Sequence, residues 1–277
     1  MLLNATLYPK DQNHSETDKH SRKKIIFLHG MGGTGNLWRP IAASLEDSYF
    51  LLCPDQRGHG KSATQSGENR FSPSDFAQDV FETALHYHFN SAWVVGHSMG
   101  VRTACAYAQL HPKHVDGLIL VDLGLSSGAG GGIGNLLASF LNKLPAQFES
   151  RQEARLYLAT HCPDTSIAQY LIAVSELDPV SQKIKFPFEQ QSLLQTIEAA
   201  KNSLSRPWLI EFAKTGKPVL ILRGETSRIF VKSEYEKERE AFKDFSNVKF
   251  IEFEGAGHGL PFEKRTQFVE LIKQNVQ

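Results

Sequence analysis

The residues with the clearest chemical potential sit together in Ala92-Trp93-Val94-Val95-Gly96-His97-Ser98-Met99-Gly100. Four apolar residues, two of them β-branched, predict a short strand buried on both faces. Glycines then bracket a serine in the pattern G-x-S-x-G, and a helix-like run follows through Thr103, Ala104, Ala106, Tyr107, Ala108 and Leu110. A chain that reverses from strand to helix so sharply strains the backbone at the serine, and glycines leave room where strand and helix cross. The Ser98 hydroxyl then stands above a sheet edge as a nucleophile. The plain alternative is a glycine-rich strand–helix turn, and the strand before and helix after favour the nucleophile.

A serine hydroxyl is barely ionised at neutral pH and needs a base within hydrogen-bond reach. The candidate is His258, in the turn Gly255-Ala256-Gly257-His258-Gly259 that follows a predicted strand at Val248–Phe253. It would take the Ser98 proton during attack and return it to the leaving group. His59 also lies beside a serine, in the turn Pro54–Ser62, but reads as a loop histidine. In the same turn Asp55 and Arg57 read as braces rather than as chemistry.

The elements that must position these groups alternate along the chain. Strands are expected at Lys24–Leu28, Tyr49–Cys53, Ala92–Val95, Gly117–Val121, Pro218–Leu222 and Val248–Phe253, and residues 1–8 fit an edge strand. Helices are expected at Asn36–Leu45, from Ser72-Pro73 to near Phe89, after the elbow, at Lys232–Phe242, and from Pro261 to about Asn275. Lys10–Lys24 reads as a polar loop. This alternation predicts a mostly parallel sheet covered by helices on both faces. Between Gly124 and about Ala213 the strand signal stops. A GAGGGIG tract at 128–134 and helical patches at Leu136–Leu144, Arg151–Thr160, Ser166–Ser175 and Glu189–Ala200 take its place. The expectation is a core of residues 1–123 and 214–277 with a helical cap inserted at 124–213. Phe140, Leu141, Leu144, Phe148, Leu156 and Trp208 are expected mostly in cap packing, with a minority lining an apolar pocket.

Six stretches in one order, IIFLHGMGG, PDQRGHGKS, VVGHSMG, LILVD, PVLILRGE and GAGHGLPFE, resemble the α/β-hydrolase superfamily from about Lys24 to the C-terminus. The likeness is to its serine-esterase branch with a helical cap. It implies an oxyanion hole from two backbone amides, those of Met31, after the His29-Gly30 pair, and Met99, after the nucleophile. It also implies a triad acid. That acid most often stands in a Gly-x-x-Asp arrangement after the strand at Pro218–Leu222, but the loop here reads Arg223-Gly224-Glu225-Thr226-Ser227, with serine at the aspartate position. Some branches carry the acid one strand after the nucleophile, where this chain has Asp122. Asp122 is favoured over Glu225; a cap residue, or no acid at all, stays open. Val101 departs from a glycine usual in close relatives.

With 277 residues the chain suits one large core plus an insertion, and thirty basic residues balance thirty acidic ones. This argues against a nucleic-acid or anionic-membrane partner. Cys53, Cys105 and Cys162 match no metal pattern and read as reduced thiols, which suits a cytoplasmic protein. No run approaches the roughly 18 apolar residues of a membrane helix. The reading is a carboxylesterase-like hydrolase, without cofactor or metal, acting on a small apolar ester or thioester. The rivals are a carbon–carbon bond hydrolase or lyase with the same triad, for which Arg102, Arg151 and Arg155 are candidate anion ligands, and a non-catalytic ligand receptor. The oligomeric state is open.

Overall fold

Every strand predicted from an unbroken apolar run is present. The computed structural model describes residues 1–9, 22–62, 69–126, 133–202 and 204–277. The first five strands are β1 (Ala5–Tyr8), β2 (Lys23–Leu28), β3 (Tyr49–Pro54), β4 (Ala92–His97) and β5 (Val115–Val121). Three two-residue strands follow, β6 (Gln147–Phe148), β7 (Glu176–Leu177) and β8 (Ile184–Lys185), and then β9 (Val219–Gly224) and β10 (Val248–Phe253). The main sheet has the order β1-β3-β2-β4-β5-β9-β10. Only β1 runs antiparallel, against β3, as an edge. The chain steps from β2 to β3 on one side, then crosses to β4 on the other. The strand order therefore reverses at the β2–β4 boundary, where sheets of this kind open a crevice at their carboxyl ends.

The period of two in the strands divides the core. Ile26, Leu28, Val94, Leu118 and Leu120 face one apolar layer, while Ile25, Phe27, Val95, Ile119 and Val121 face the other. The first layer takes α1 (Pro73–His86), α2 (Met99–Leu110) and two later helices. α1 begins as its sequence predicts, with Pro73 at the first helical position and a reciprocal Ser72–Asp75 capping box. The second layer takes Trp38, Ile41 and the final helix. The helix expected at Asn36–Leu45 is instead a 3₁₀ turn, Gly35–Trp38, followed by a short α turn at Arg39–Ala42. Pro40 has no N–H to continue a hydrogen-bond ladder.

After β5 come α3 (Ile133–Leu141), α4 (Arg151–His161), α5 (Thr165–Val174) and α6 (Gln190–Ala200). With the small sheet β6-β8-β7 they enclose an apolar core of their own, including Phe140, Leu141, Phe148, Leu158, Leu171, Phe186 and Ile197. Backbone bonds fasten this layer to the loop after β3: Gly60 N–H donates to Pro187 O (2.7 Å) and Glu189 N–H to Gly58 O (3.0 Å). Two expectations change. α7 (Ser205–Ala213) packs through Leu209, Phe212 and Ala213 into the main layer beside α2, and Trp208 goes with it. Leu156, expected inside the cap, is exposed. Most of the glycine tract at 128–134, and most of the loop at 10–24, lie outside the described residues. The remaining helices are α8 (Lys232–Ala241) and α9 (Arg265–Asn275), the latter preceded by a short turn at Leu260–Glu263.

Candidate active site

Ser98 is one of four non-glycine residues with positive φ among the described residues (φ 54°, ψ −120°), a conformation that costs energy and persists only where packing imposes it. Here the packing is backbone against backbone. A Cβ on Gly96 would meet the carbonyl of Gly100, and one on Gly100 would meet the carbonyl of Leu28. Ser98 N–H donates to Val121 O (2.9 Å), and Ser98 O accepts from Val101 N–H (2.9 Å). Both flanks of the serine are thus pinned, and its side chain points into a cavity.

His258 lies beside it. Nε2 is 3.0 Å from Ser98 Oγ, and Nδ1 is 2.8 Å from Asp122 Oδ2. A carboxylate accepts only, so Nδ1 carries the proton and Nε2 is left to accept from the serine hydroxyl. Asp122 is fully buried, and donors surround it: Gly224 N–H to Oδ1 (2.8 Å) and the Ser227 hydroxyl to Oδ2 (2.5 Å), besides the histidine. Burying a carboxylate is costly unless its oxygens are satisfied, and here they are. Asp122 also has positive φ (57°), and its N–H donates to Leu222 O (2.8 Å). Glu225 is not in this chain of bonds; its Oε2 accepts from Gly255 N–H (2.7 Å) on the outer side of the histidine turn.

Met31 follows β2 across the strand-order reversal from Ser98. The loop before it is held by a defined histidine tautomer. Gln56 N–H donates to His29 Nε2 (2.9 Å), so His29 Nδ1–H donates to Gly30 O (2.8 Å). Burial, with His59 adding to it, holds the His29 imidazole well below its usual pKa, hence neutral. Gln56 Nε2 also donates to His29 O (2.7 Å), and its Oε1 accepts from Thr103 Oγ1 (2.9 Å) on α2. The Tyr170 hydroxyl, from α5, donates to Gly30 O (3.3 Å). Met99, as the first residue of α2, has an amide with no intrahelical acceptor. Met31, Met99, Ser98 and His258 all border one cavity of about 310 Å³, which Leu137, Phe140, Leu171 and Ile197 from the layer α3–α6 also line.

The other sequence candidates fall outside the Ser98–His258 pair. His59 Nδ1–H donates to Arg57 O (2.8 Å), and burial pushes its pKa down to about 4. Asp55 accepts from Gly35 and Lys61 amides and from the Asn4 side chain, and Arg57 makes a buried two-pronged bond to Asp79 (2.7 and 2.8 Å). Both are braces, as expected. Val101 is core packing. Arg151 donates to Ser175 O (2.7 Å) and Arg155 is exposed, whereas Arg102 borders the cavity. No group of three metal-ligating side chains occurs among the described residues. Cys53, Cys105 and Cys162 are free thiols.

Three contributors escaped the sequence reading. Ser227, noticed only for not being an aspartate, donates to Asp122. His97, preceding Ser98, donates Nε2–H to the carbonyl of His258 (2.8 Å); burial pushes its pKa down to about 3, so it stays neutral. Glu263 accepts from Gly257 N–H (2.6 Å) and Gly259 N–H (3.1 Å), bracketing the histidine. For Glu263 the only available signal was its place five residues after His258.

The sheet order agrees with the comparisons. Residues 23–265 match the family model described as alpha/beta hydrolase fold, and the chain belongs to that family. Its relatives include a Haemophilus influenzae protein provisionally named esterase/lipase, 25% identical over 250 residues (90% of this chain, 82% of that one). A 2-(acetamidomethylene)succinate hydrolase of Mesorhizobium japonicum is 26% identical over 215 residues, 76% of this chain and 74% of that one. The solved structure of an esterase from a marine microorganism superposes with a TM-score of 0.77 at 21% identity, covering 99% of both chains, which speaks to fold alone. Among the described residues, no helix is long and apolar enough to cross a membrane.

Proposed function

We propose that the protein is a serine carboxylesterase acting through an acyl-Ser98 intermediate, with His258 as base and Asp122 as triad acid. The observation that carries this is the continuous Asp122–His258–Ser98 hydrogen-bond chain ending at an apolar cavity. His258 Nε2 takes the hydroxyl proton as Oγ attacks the carbonyl, and Asp122 stabilises the imidazolium. The oxygen that gains charge is received by the amides of Met31 and Met99. Collapse of the tetrahedral species expels the alcohol, which takes its proton from His258. A water, deprotonated by the same imidazole, then releases the acid. The layer α3–α6 acts as the cap that excludes bulk water, and the esterase and hydrolase names of the relatives support the reaction class. The three free thiols suit the cytoplasm.

A fluorophosphonate label tests this directly, with the modified residue located by peptide mass and an ester series from acetate to decanoate measured beside it. Labelling at Ser98 with turnover that the label abolishes is expected. Absence of label on Ser98 would move the protein to the class of non-catalytic receptors.

A further inference from the structure

The loop after β2 turns around one carbonyl. Gly30 O accepts from Gly33 N–H (3.1 Å), from His29 Nδ1–H (2.8 Å) and from the Tyr170 hydroxyl (3.3 Å). The first two donors belong to the loop itself. The third comes from α5, 140 residues further along the chain. The loop is shaped to receive it. A Cβ on Gly33 would overlap the Tyr170 hydroxyl and would touch Leu37 Cδ1 (2.8 Å), the end of a flexible side chain. φ at Gly33 lies outside the left-handed region, so glycine is needed there for space rather than for backbone freedom. Beside it, a Cβ on Gly32 would press on Leu171 Cδ2 (3.1 Å), and Met31 packs against the apolar core of the layer α3–α6. Burial pushes the Tyr170 phenol above its ordinary pKa, so it stays protonated and able to donate.

Gly30 O belongs to the same peptide group as the Met31 N–H. That group is planar and trans, so its carbonyl and its N–H point in opposite directions. Whatever fixes the carbonyl therefore fixes the N–H. Hydrogen bonds accepted by the carbonyl also polarise the peptide and strengthen its N–H as a donor. Met31 borders the cavity, and among the described residues no acceptor takes its N–H.

We propose that Tyr170 is a positioning residue for the reaction: by holding the Gly30 carbonyl it aims the Met31 N–H at the oxygen that gains charge. The proposal rests on the acyl-Ser98 reading above and gives the layer α3–α6 a second duty, since it then helps to build the oxyanion hole as well as covering the cavity. A phenylalanine at 170 would pack equally well but leave that peptide held by the loop alone.

The experiment uses Tyr170→Phe, which removes the donor and keeps the ring, with turnover of p-nitrophenyl butyrate and two inhibitors measured side by side. Ser98 Oγ adds to the carbonyl carbon of 1,1,1-trifluoro-2-octanone; the π pair moves to the oxygen and His258 takes the hydroxyl proton, so the adduct carries the oxyanion. 2-Octanol has no carbonyl and simply fills the cavity. In Tyr170→Phe, kcat should fall by about three- to tenfold, the scale of one neutral hydrogen bond, with KM within about twofold of wild type. The trifluoro ketone should weaken by a similar factor and 2-octanol by less than about twofold. A side chain that merely packs would weaken both alike. Gly33→Ala supplies an independent arm, because its methyl should displace the hydroxyl. It should cost at least about threefold more in wild type than when added to Tyr170→Phe, where the overlapping atom is gone. A kcat unchanged in Tyr170→Phe, equal weakening of the two inhibitors, or a Gly33→Ala cost that is the same in both backgrounds overturns the positioning role. Any of these with Ser98 labelled and the ester hydrolysed by wild type removes that role alone. A wild type that takes no label, binds no trifluoro ketone and hydrolyses no ester removes the reading beneath it.

Discussion

The turn that presents Ser98 and the turn that presents His258 meet in one 3.0 Å hydrogen bond, yet they are held by different kinds of force. Around Ser98 the constraint is steric: two glycines lie where a methyl group would strike a carbonyl, and strand, helix and serine are pinned through the backbone. Around His258 the constraint is polar. Glu225 accepts from Gly255, Glu263 from Gly257 and Gly259, Thr226 donates to Ala256 O (2.9 Å), and His97 donates to His258 O. A steric constraint fails all at once, whereas polar clamps fail by degrees. The Ser98 side should therefore answer mutation in an all-or-none way and the His258 side in steps.

The largest step is removal of the proposed nucleophile. Ser98→Ala should leave the melting temperature close to wild type and cost about 10⁴-fold or more in ester turnover, since the remaining triad has nothing to activate. Turnover within tenfold of wild type would exclude Ser98 as nucleophile. Next is the acid. Asp122→Asn keeps the shape but puts an NH₂ or a neutral oxygen where His258 Nδ1–H and Ser227 both donate. It should cost about 10³–10⁴-fold, as a wrong histidine tautomer does in other triads.

The sequence made some of this legible and hid the rest, for physical reasons. Strands β2, β4, β5 and β9 are covered on both faces, so their apolar runs are unbroken and easily read. Ser98 and His258 stand in glycine-rich turns at strand ends, which the pattern exposes. The preference for Asp122 over Glu225 came from the resemblance alone, because the geometry behind it, β5 lying beside β9 with Val121 paired to Leu222 and a positive φ at Asp122, leaves no mark in the sequence. Residues 205–213 fall inside the range expected for the cap because apolar residues such as Trp208 do not say which surface they meet; as α7 they meet α2. Glu263 looked like any exposed helix charge, since an exposed carboxylate serving two backbone amides leaves no trace in composition.

A third effect acts on stability. His29, His59 and His97 are fully buried and their pKa values lie below the ordinary 6.5, His59 at about 4 and His97 at about 3, chiefly through burial. The folded protein thus prefers them neutral. The unfolded chain binds their protons below about pH 6.5, so their stabilising share is complete above that pH and lost as pH falls toward 4 and 3. For His59 the gap corresponds to roughly 3 kcal/mol. The melting temperature should be level from pH 8 to 7 and drop steeply below 6, and His59→Gln should flatten the slope. A level profile down to pH 4.5 would contradict the assignment. Because His97 lies next to Ser98 and holds the His258 carbonyl, acid should loosen both turns together.

Within the polar clamps, Glu263 is expected to matter more than any other exposed residue near His258. Its two oxygens serve two amides, and a glutamine has only one acceptor oxygen; the other terminus would turn an NH₂ toward an N–H. Losing one such bond is worth about 1–1.5 kcal/mol, so Glu263→Gln should lower kcat by roughly tenfold. KM should change little, because Glu263 does not border the cavity. A large rise in KM with kcat intact would show that the clamp shapes binding rather than the base.

The smallest effect should come from Glu225, and it is the one that separates the two candidate acids. Glu225 is exposed, and the one hydrogen bond seen for its side chain runs from Gly255 N–H to Oε2, at the far end of the turn from His258. In Glu225→Gln the amide oxygen can still accept that bond, so what is lost is a solvent-screened charge. Such a change at a surface site is usually worth less than 1 kcal/mol. Turnover of an activated ester should therefore fall by less than about tenfold, against about 10³–10⁴-fold for Asp122→Asn on the same substrate. Both variants should be checked by thermal melting, so that a folding defect is not read as a catalytic one. If the glutamine variant were the crippled one and the asparagine variant active, the acid would lie in the loop after β9, and the Asp122–Ser227 pair would be a structural bond between strand ends.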